Sequence, residues 1–365
     1  MPKDIVDGGI DLTGIARVGD AKAQEMARHL LAAGDIVFPR RGDIRKCALV
    51  TLQTEGSLCG TGCLKIRVDR SIFASRFLYY VMSSDDVGSW LEGRAVGTTM
   101  LNLSAGILND LEVPNPPLRV QDAIVSTVSA YDDLIENNHR RIKLLEDSVR
   151  LLFDEWFVKA GKPSWPTLAL QQLCVDEGGI QTGPFGSQLH QSDYSEDGVP
   201  VVMPKDLATM KIDTQTIARI PEHLADELGR HRMRRGDIVF GRRGEIGRRA
   251  YIGPRQAGYF CGTGCLRLRP DPARVHPRYL FEVLRAPAVA GDIANRAKGS
   301  TMANLSAGAL QSVAVPVPPK ALQDRFATFA DEVSEQIDTL EEQARKLRTA
   351  RDLLLPRLMS GELTV

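Results

Sequence analysis

A single offset of 202 residues runs through this chain and limits what it can fold into. Residues 34–50, GDIVFPRRGDIRKCALV, match residues 236–252, GDIVFGRRGEIGRRAYI, at 10 of 17 positions. CGTGCLKIRV (59–68) matches CGTGCLRLRP (261–270) at 7 of 10, and GTTMLNLSAGI (97–107) matches GSTMANLSAGA (299–309) at 8 of 11. VPNPPLRVQD (113–122) matches VPVPPKALQD (315–324) at 6 of 10. Four blocks at one offset mean that the two halves share one fold. The period is far too long for a solenoid, whose repeats run to about 20–50 residues.

Each half has the same internal order. Short apolar runs such as Ile36-Val37-Phe38 and Ile238-Val239-Phe240, bounded by Gly and charged turns, predict strands. Ser71–Leu91 and Pro277–Ala297 predict helices, and the Pro-rich strips Val113–Pro117 and Val315–Pro319 predict a hinge or domain edge. A long helix then closes each half. The first is expected from about Arg119 to Phe157, with Val120, Ile124, Val128, Tyr131, Ile135, Ile142, Leu145, Val149, Leu152 and Trp156 as its seam and Asn138 as a polar position on it. The second carries Leu322, Phe326, Phe329, Val333, Ile337, Leu340, Ala344, Leu347, Leu354 and Leu358, and Pro356 is expected to kink or end it. Neither helix can bury such a stripe alone in water, which favours their pairing as a spacer. The fold class is therefore mixed α+β. Its expected parts are a domain over 1–117, a helix over 118–160, a domain over 161–318 and a helix over 319–365.

Composition narrows the function. At 43% hydrophobic and 25% charged, 365 residues make an ordinary globular protein with room for two cores. No run of 18 apolar residues is present and the N-terminus lacks the pattern of a signal peptide, so the expected address is the cytoplasm. Six cysteines in so long a chain form no disulfide framework. Net charge is zero, with 46 basic and 46 acidic residues, but a total hides local patches. Between Arg232 and Arg255 stand eight arginines and two acids.

The local phrases and their order resemble a known family. Gln181-Thr182-Gly183-Pro184-Phe185-Gly186-Ser187 is similar to the phrase near the start of the target-recognition domains of Type I restriction-modification specificity subunits. Leu152-Phe153-Asp154-Glu155-Trp156-Phe157-Val158 is similar to the end of that family's central helix, and Leu355-Pro356-Arg357-Leu358-Met359-Ser360-Gly361-Glu362 to its C-terminal signature. The resemblance implies two target-recognition domains separated by a pair of antiparallel coiled-coil helices with a pseudo-twofold. Each domain would read half of a bipartite, asymmetric site in double-stranded DNA. Modification (methyltransferase) subunits and a restriction subunit would dock as partners. They would bring S-adenosylmethionine, ATP and Mg, so this chain would bind no cofactor and catalyse nothing. The alternative is a coiled-coil scaffold without a DNA role.

The paired arginines Arg40-Arg41 and Arg242-Arg243, each past a strand and before Gly, are candidate DNA contacts. Lys46, Arg248 and Arg249 extend the basic edge toward phosphate. Because the pairs recur while the two domains should read different bases, they are expected to position DNA rather than to discriminate. In the loop Gln181–Gln188, Gln181, Thr182, Ser187 and Gln188 offer hydrogen bonds, and Gly183 offers backbone freedom. A solvated hairpin turn and a domain-closing turn are the plain structural alternatives for these two features. Cys59/Cys63 and Cys261/Cys265 read as small buried residues rather than zinc ligands, and the Gly-Thr-Gly between each pair as a tight turn. Leu103-Ser104-Ala105-Gly106 and Leu305-Ser306-Ala307-Gly308 read as helix starts or turns. Asn115-Pro116-Pro117-Leu118 resembles the Asn-Pro-Pro-aromatic motif of amino-methyltransferases but lacks the aromatic ring, and no Walker A sequence is present.

Met1-Pro2-Lys3-Asp4 aligns with Met203-Pro204-Lys205-Asp206 at the same offset. About 40 residues precede this point in the second copy and have no counterpart in the first. The first domain is therefore expected to be N-terminally truncated, with a sheet edge unpaired and apolar surface exposed.

Overall fold

In a computed structural model, residues 1–6, 8–95, 101–159, 165–185, 188–208, 210–243, 246–297 and 304–364 are described. The chain divides into two compact units. The first comprises Met1–Arg141 with Leu340–Val365, and the second Ile142–Thr339. Each unit thus takes one globule and part of both long helices.

Unit 1 is built on a three-stranded antiparallel sheet, β1 (Ile36–Pro39), β2 (Ala48–Leu49) and β3 (Cys63–Ile66), in the order β2-β1-β3. Ile36 stands between Leu49 and Ile66. Helices α1 (Ser75–Met82) and α2 (Asp85–Arg94) follow, where the sequence reads one helix. The break falls at Ser84, whose hydroxyl accepts the Val87 amide and so caps a new helix start. Ile36, Phe38, Phe77 and Val81 form the core together with Ile124 and Val128 of the first long helix and Leu355 and Leu358 of the second.

Unit 2 repeats this plan and adds to it. Besides a small antiparallel pair, Thr167–Ala169 with Ala314–Pro316, its strands are β4 (Ile180–Thr182), β5 (Val199–Val202), β6 (Ala218–Ile220), β7 (Ile238–Gly241), β8 (Arg249–Tyr251), β9 (Phe260–Cys261) and β10 (Cys265–Leu268). One sheet runs β8-β7-β10-β4, and a second runs β9-β5-β6. Ile238 stands between Tyr251 and Leu268, the register of Ile36 shifted by 202. β10 is paired on both edges, whereas among the described residues β3 is paired only with β1. Helices α3 (Pro277–Val283) and α4 (Pro287–Arg296) again replace one predicted helix, here because Pro287 starts a new one.

The long helices span Leu118–Phe153, continued as a π-helix to Lys159, and Lys320–Met359. In unit 1, Ile124 and Val128 share a core with Leu355 and Leu358, and Asp132 meets Arg351 at 2.7 Å. As one helix number rises the other falls, so the segments are antiparallel. In unit 2 Phe153 and Phe157 pack on Phe326. The seam is buried as read at Ile124, Val128, Ile135, Asn138, Ile142 and Val149, and only at its end do Phe153 and Phe157 replace the expected Leu152 and Trp156, one residue out of step. Pro356 does not end its helix. The helix continues to Met359 because Leu355 and Leu358 are buried in the unit 1 core, which offsets the local loss at proline of about 3 kcal/mol.

One turn fixes each sheet. Gly34 and Gly236 adopt φ of +90° and +91°, a conformation that favours glycine. The next residues, Asp35 and Asp237, accept the amides of Ala32 and Arg234. They also pair across the sheet with Arg67 at 2.6 Å and Arg269 at 2.7 Å. Burial pushes the Asp35 pKa up, but the Arg67 guanidinium and the Ala32 amide outweigh it and hold the group below its ordinary value. Arg67 is 57% exposed, whereas Asp237 also faces Arg267, which is 2% exposed.

Two outcomes follow from these environments. Asp237→Ala strands Arg267 in the interior and should cost about 3–5 kcal/mol, whereas Asp35→Ala leaves Arg67 to water and should cost only about 1–2 kcal/mol. Hydrogen exchange on β7 and β1 reports each unit separately, and equal losses would contradict the account. The second outcome concerns His231, which is buried, stacks on Phe260 and accepts a hydrogen bond from Arg230. Burial, helped by Arg230 and Arg267, pushes its pKa down to about 4. The unfolded chain, with an ordinary value of about 6.5, then takes up the proton first on acidification. Stability of unit 2 should be flat above that value and fall between pH 6.5 and about 4. His231→Gln should flatten this decline in urea titrations, and an unchanged pH profile would show that His231 does not cause it.

Candidate nucleic-acid interface

The candidate residues converge because of the strand directions. In unit 2, β7 ends at Gly241, β4 ends at Thr182, β8 begins at Arg249 and β10 begins at Cys265. In the order β8-β7-β10-β4, all four points lie at one end of the sheet. Arg242 continues β7, where its amide donates to the Gly264 carbonyl at 2.8 Å and its own carbonyl accepts the Leu305 amide at 2.9 Å. Arg243 is exposed and bridges to Asn304. The Gly262-Thr263-Gly264 turn sits between the arginines and the Gly183–Pro184 loop, with the Thr263 hydroxyl donating to the Pro184 carbonyl.

Unit 1 repeats the arrangement. The Arg40 amide donates to the Gly62 carbonyl at 2.8 Å, the Leu103 amide donates to Arg40, and Arg41 bridges to Asn102. Arg40 and Arg41 are exposed. Lys46 is exposed beside Asp43 at 3.2 Å, just before β2. The same strand end therefore presents paired arginines in both units. Ser104 and Ser306 cap the short helices that begin at Ala105 and Ala307, as the helix-start reading expected.

Several expectations change on contact with the structure. Arg249 does not extend the basic edge. It is 4% exposed, donates to the Gly247 carbonyl, and burial pushes its pKa down to about 10 against the opposing charge of Glu282. Gln181 does not face outward, because its amide oxygen accepts a hydrogen bond from the buried Arg267 at 2.9 Å. Gly183 serves close packing: a Cβ there would lie 1.9 Å from the Gly262 carbonyl oxygen. Thr182 and Gln188 are half-buried at the sheet end, and Ser187 lies outside the described residues. Arg242 is half-buried, with its Nε on the Leu305 carbonyl, and Arg248 reaches toward the Leu207 carbonyl.

The arginine-rich stretch is less free than its sequence suggests. Arg232 pairs with Glu222 and Asp226, Arg235 with Asp331, and Arg255 with Asp338. Asp331 and Asp338 lie seven residues apart on the second long helix, so two of the arginines fasten the globule to that helix. Arg243 and Arg234 remain exposed with no acidic partner among the described residues. Residues that the sequence reading passed over are Thr61 and Thr263. Their signal was in the repeat itself, since both stand unchanged at the centre of a duplicated turn.

The cysteine motifs are structural. Cys261 and Cys265 are buried, and burial pushes the Cys261 thiol up to about 12, far from the thiolate that zinc requires. Asn115 of the Asn-Pro-Pro motif accepts a hydrogen bond from Gln121 at 3.2 Å, at the entry to the first long helix. Among the described residues no helix is long and apolar enough to cross a membrane.

Known proteins resemble this chain. A family model described as the Type I restriction modification DNA specificity domain matches residues 25–147 and 195–348. The Type I restriction enzyme MjaIX specificity subunit of Methanocaldococcus jannaschii is 24% identical, over 96% of this chain and 83% of its own length. The putative type I specificity subunit S.MgeORF438P of Mycoplasma genitalium is 24% identical over 86% and 78%. The crystal structure of a Type-I restriction-modification system S subunit from M. genitalium aligns with a TM-score of 0.57 at 19% identity, covering 90% of this chain and 84% of that one. This structural likeness shows a common fold, and the family match covers both copies of the repeat. The chain belongs to the family of Type I restriction-modification DNA specificity subunits.

Proposed function

We propose that each globule reads one half of a bipartite, asymmetric site in double-stranded DNA through the sheet end that carries its arginine pair. The observation that carries this is the duplication: two chemically equal edges, each with two adjacent arginines at a strand terminus, built on one register. Arginine at such an edge neutralises phosphate and fixes the protein on the duplex. Arg40, Arg41, Lys46, Arg242, Arg243 and Arg248 are assigned to this positioning role, and Thr182 and Gln188 to the edge beside it. Gln181, Gly183 and Arg249 support the edge from within.

The chain is the DNA-recognition subunit of its complex and does no covalent chemistry itself. It works with methyltransferase and restriction subunits, and S-adenosylmethionine, ATP and Mg belong to those partners. The recognition domains are assigned to 1–117 and 161–318, and the spacer helices to 118–160 and 319–365. The complex is placed in the cytoplasm, where its DNA is.

In the complex assembled with modification subunits, the double change Arg242→Ala and Arg243→Ala should weaken binding to all duplexes alike. It should also make the slope of log affinity against log salt shallower by about one to two. An unchanged slope would remove these arginines from the interface.

A further inference from the structure

We infer that Arg45 is a positioning residue for DNA binding by unit 1: it clasps the turn between β1 and β2, which carries Arg41 and Lys46, to helix α2. This rests on the reading of that edge as the DNA-facing one. The Arg45 guanidinium donates to Asp85 at 2.8 Å and lies 3.5 Å from Glu92. Asp85 and Glu92 are seven residues apart, so they share one face of the helix. Gly88 stands between them and is buried. Having no side chain, it leaves the slot that the guanidinium fills, since a Cβ there would lie 2.8 Å from Arg45 Nε. The neighbouring Ile44 is 1% exposed and shares a core with Val87 and Leu91 of the same helix. The turn is therefore seated on α2 by one apolar and one charged contact.

The repeat isolates this clasp. The two units share the paired arginines, but at the offset of 202 Gly247 stands in the place of Arg45, Pro287 of Asp85, Ala290 of Gly88 and Ala294 of Glu92. Unit 2 thus has neither the arginine, nor the slot, nor either acid. Gly247 adopts φ of +105°, and among the described residues a Cβ there would meet open space. Chemistry sets the role. Two carboxylates beside one guanidinium leave net negative charge, which is a poor contact for phosphate. What the clasp changes is the freedom of the turn. A turn held in place before DNA arrives draws nothing from binding for its own ordering. Unit 1 therefore presents its basic turn preformed.

The test measures the affinity of the chain, assembled with its modification subunits, for a duplex carrying the site defined by the methylation pattern of the host. Arg45→Ala should weaken binding about fivefold, the scale of two exposed ion pairs. The double change Asp85→Ala and Glu92→Ala should weaken it by a similar factor, and the triple change should be no weaker than Arg45→Ala alone. The sign decides the case, because removing two carboxylates beside DNA otherwise tightens binding. Hydrogen exchange on β1 checks that the variants fold. If Arg45→Ala weakens binding while the double change leaves it equal or tighter, Arg45 touches DNA itself and the clasp is wrong. Unchanged binding in both variants overturns it as well. If Arg40→Ala with Arg41→Ala also leaves affinity and salt slope unchanged, the DNA-facing reading of this edge fails with it.

Discussion

Two buried glutamines, Gln121 and Gln323, join each globule to a long helix, and the rest of the architecture depends on that joint. Gln121 accepts the Ala74 amide at 2.8 Å and donates to the carbonyls of Ile72 at 3.0 Å and Pro116 at 2.8 Å. Gln323 accepts the His276 amide at 2.8 Å and donates to Pro318 at 2.7 Å. Each side chain therefore satisfies backbone groups of the loop before α1 or α3 and of the Pro-rich strip at once. Buried amides left without partners cost about 1–3 kcal/mol each, so the direction in which each helix leaves its globule is fixed by hydrogen bonding as well as by packing. A spacer needs this, because a rigid rod on a loose joint measures no distance.

Much of this was legible in the sequence. The repeat picked out both glutamines, both Gly-Asp turns and the paired arginines, and the strand register followed it position for position. What it did not give was the reason for any of them, because a match between two copies reports a shared constraint without naming the partner. Helix periodicity placed the long helices but missed the step to Phe153 and Phe157. Both follow Val149 at intervals of four and pack on Tyr279 and Phe326, so the aromatic core of unit 2 sets which face of the last turns is buried. Pro356 misled for the same physical reason: local propensity is a few kcal/mol at most, and burial of two leucines outweighs it.

The candidate site was only half readable, and charge explains why. Reading arginines off a sequence counts charges but not their partners. Asp331 and Asp338, distant in sequence from Arg235 and Arg255, turn two arginines of the basic stretch into fastenings on the second long helix. Arg249 shows the other failure. Its neighbour Arg248 is half-buried just before β8, whereas Arg249 opens that strand and is buried together with Ala250 after it.

The duplication also separates affinity from discrimination. Residues held in common by the two units, Arg40/Arg242 and Arg41/Arg243, are fixed by backbone bonds that recur almost unchanged, the Gly62 and Gly264 carbonyls on one side and the Leu103 and Leu305 amides on the other. Such a frame holds a duplex in the same way whatever its sequence. Sequence preference must come from side chains mounted on the frame and not repeated in it, and these need a backbone stiff enough to keep them in place without a bound duplex. The duplicated turn Gly262-Thr263-Gly264 meets both needs. In unit 2 it carries the carbonyl that anchors Arg242 and the hydroxyl that anchors Pro184, so the shared positioning element also holds the backbone that leads out of β4. Two copies of one fold can thereby keep the same grip on DNA while reading different bases.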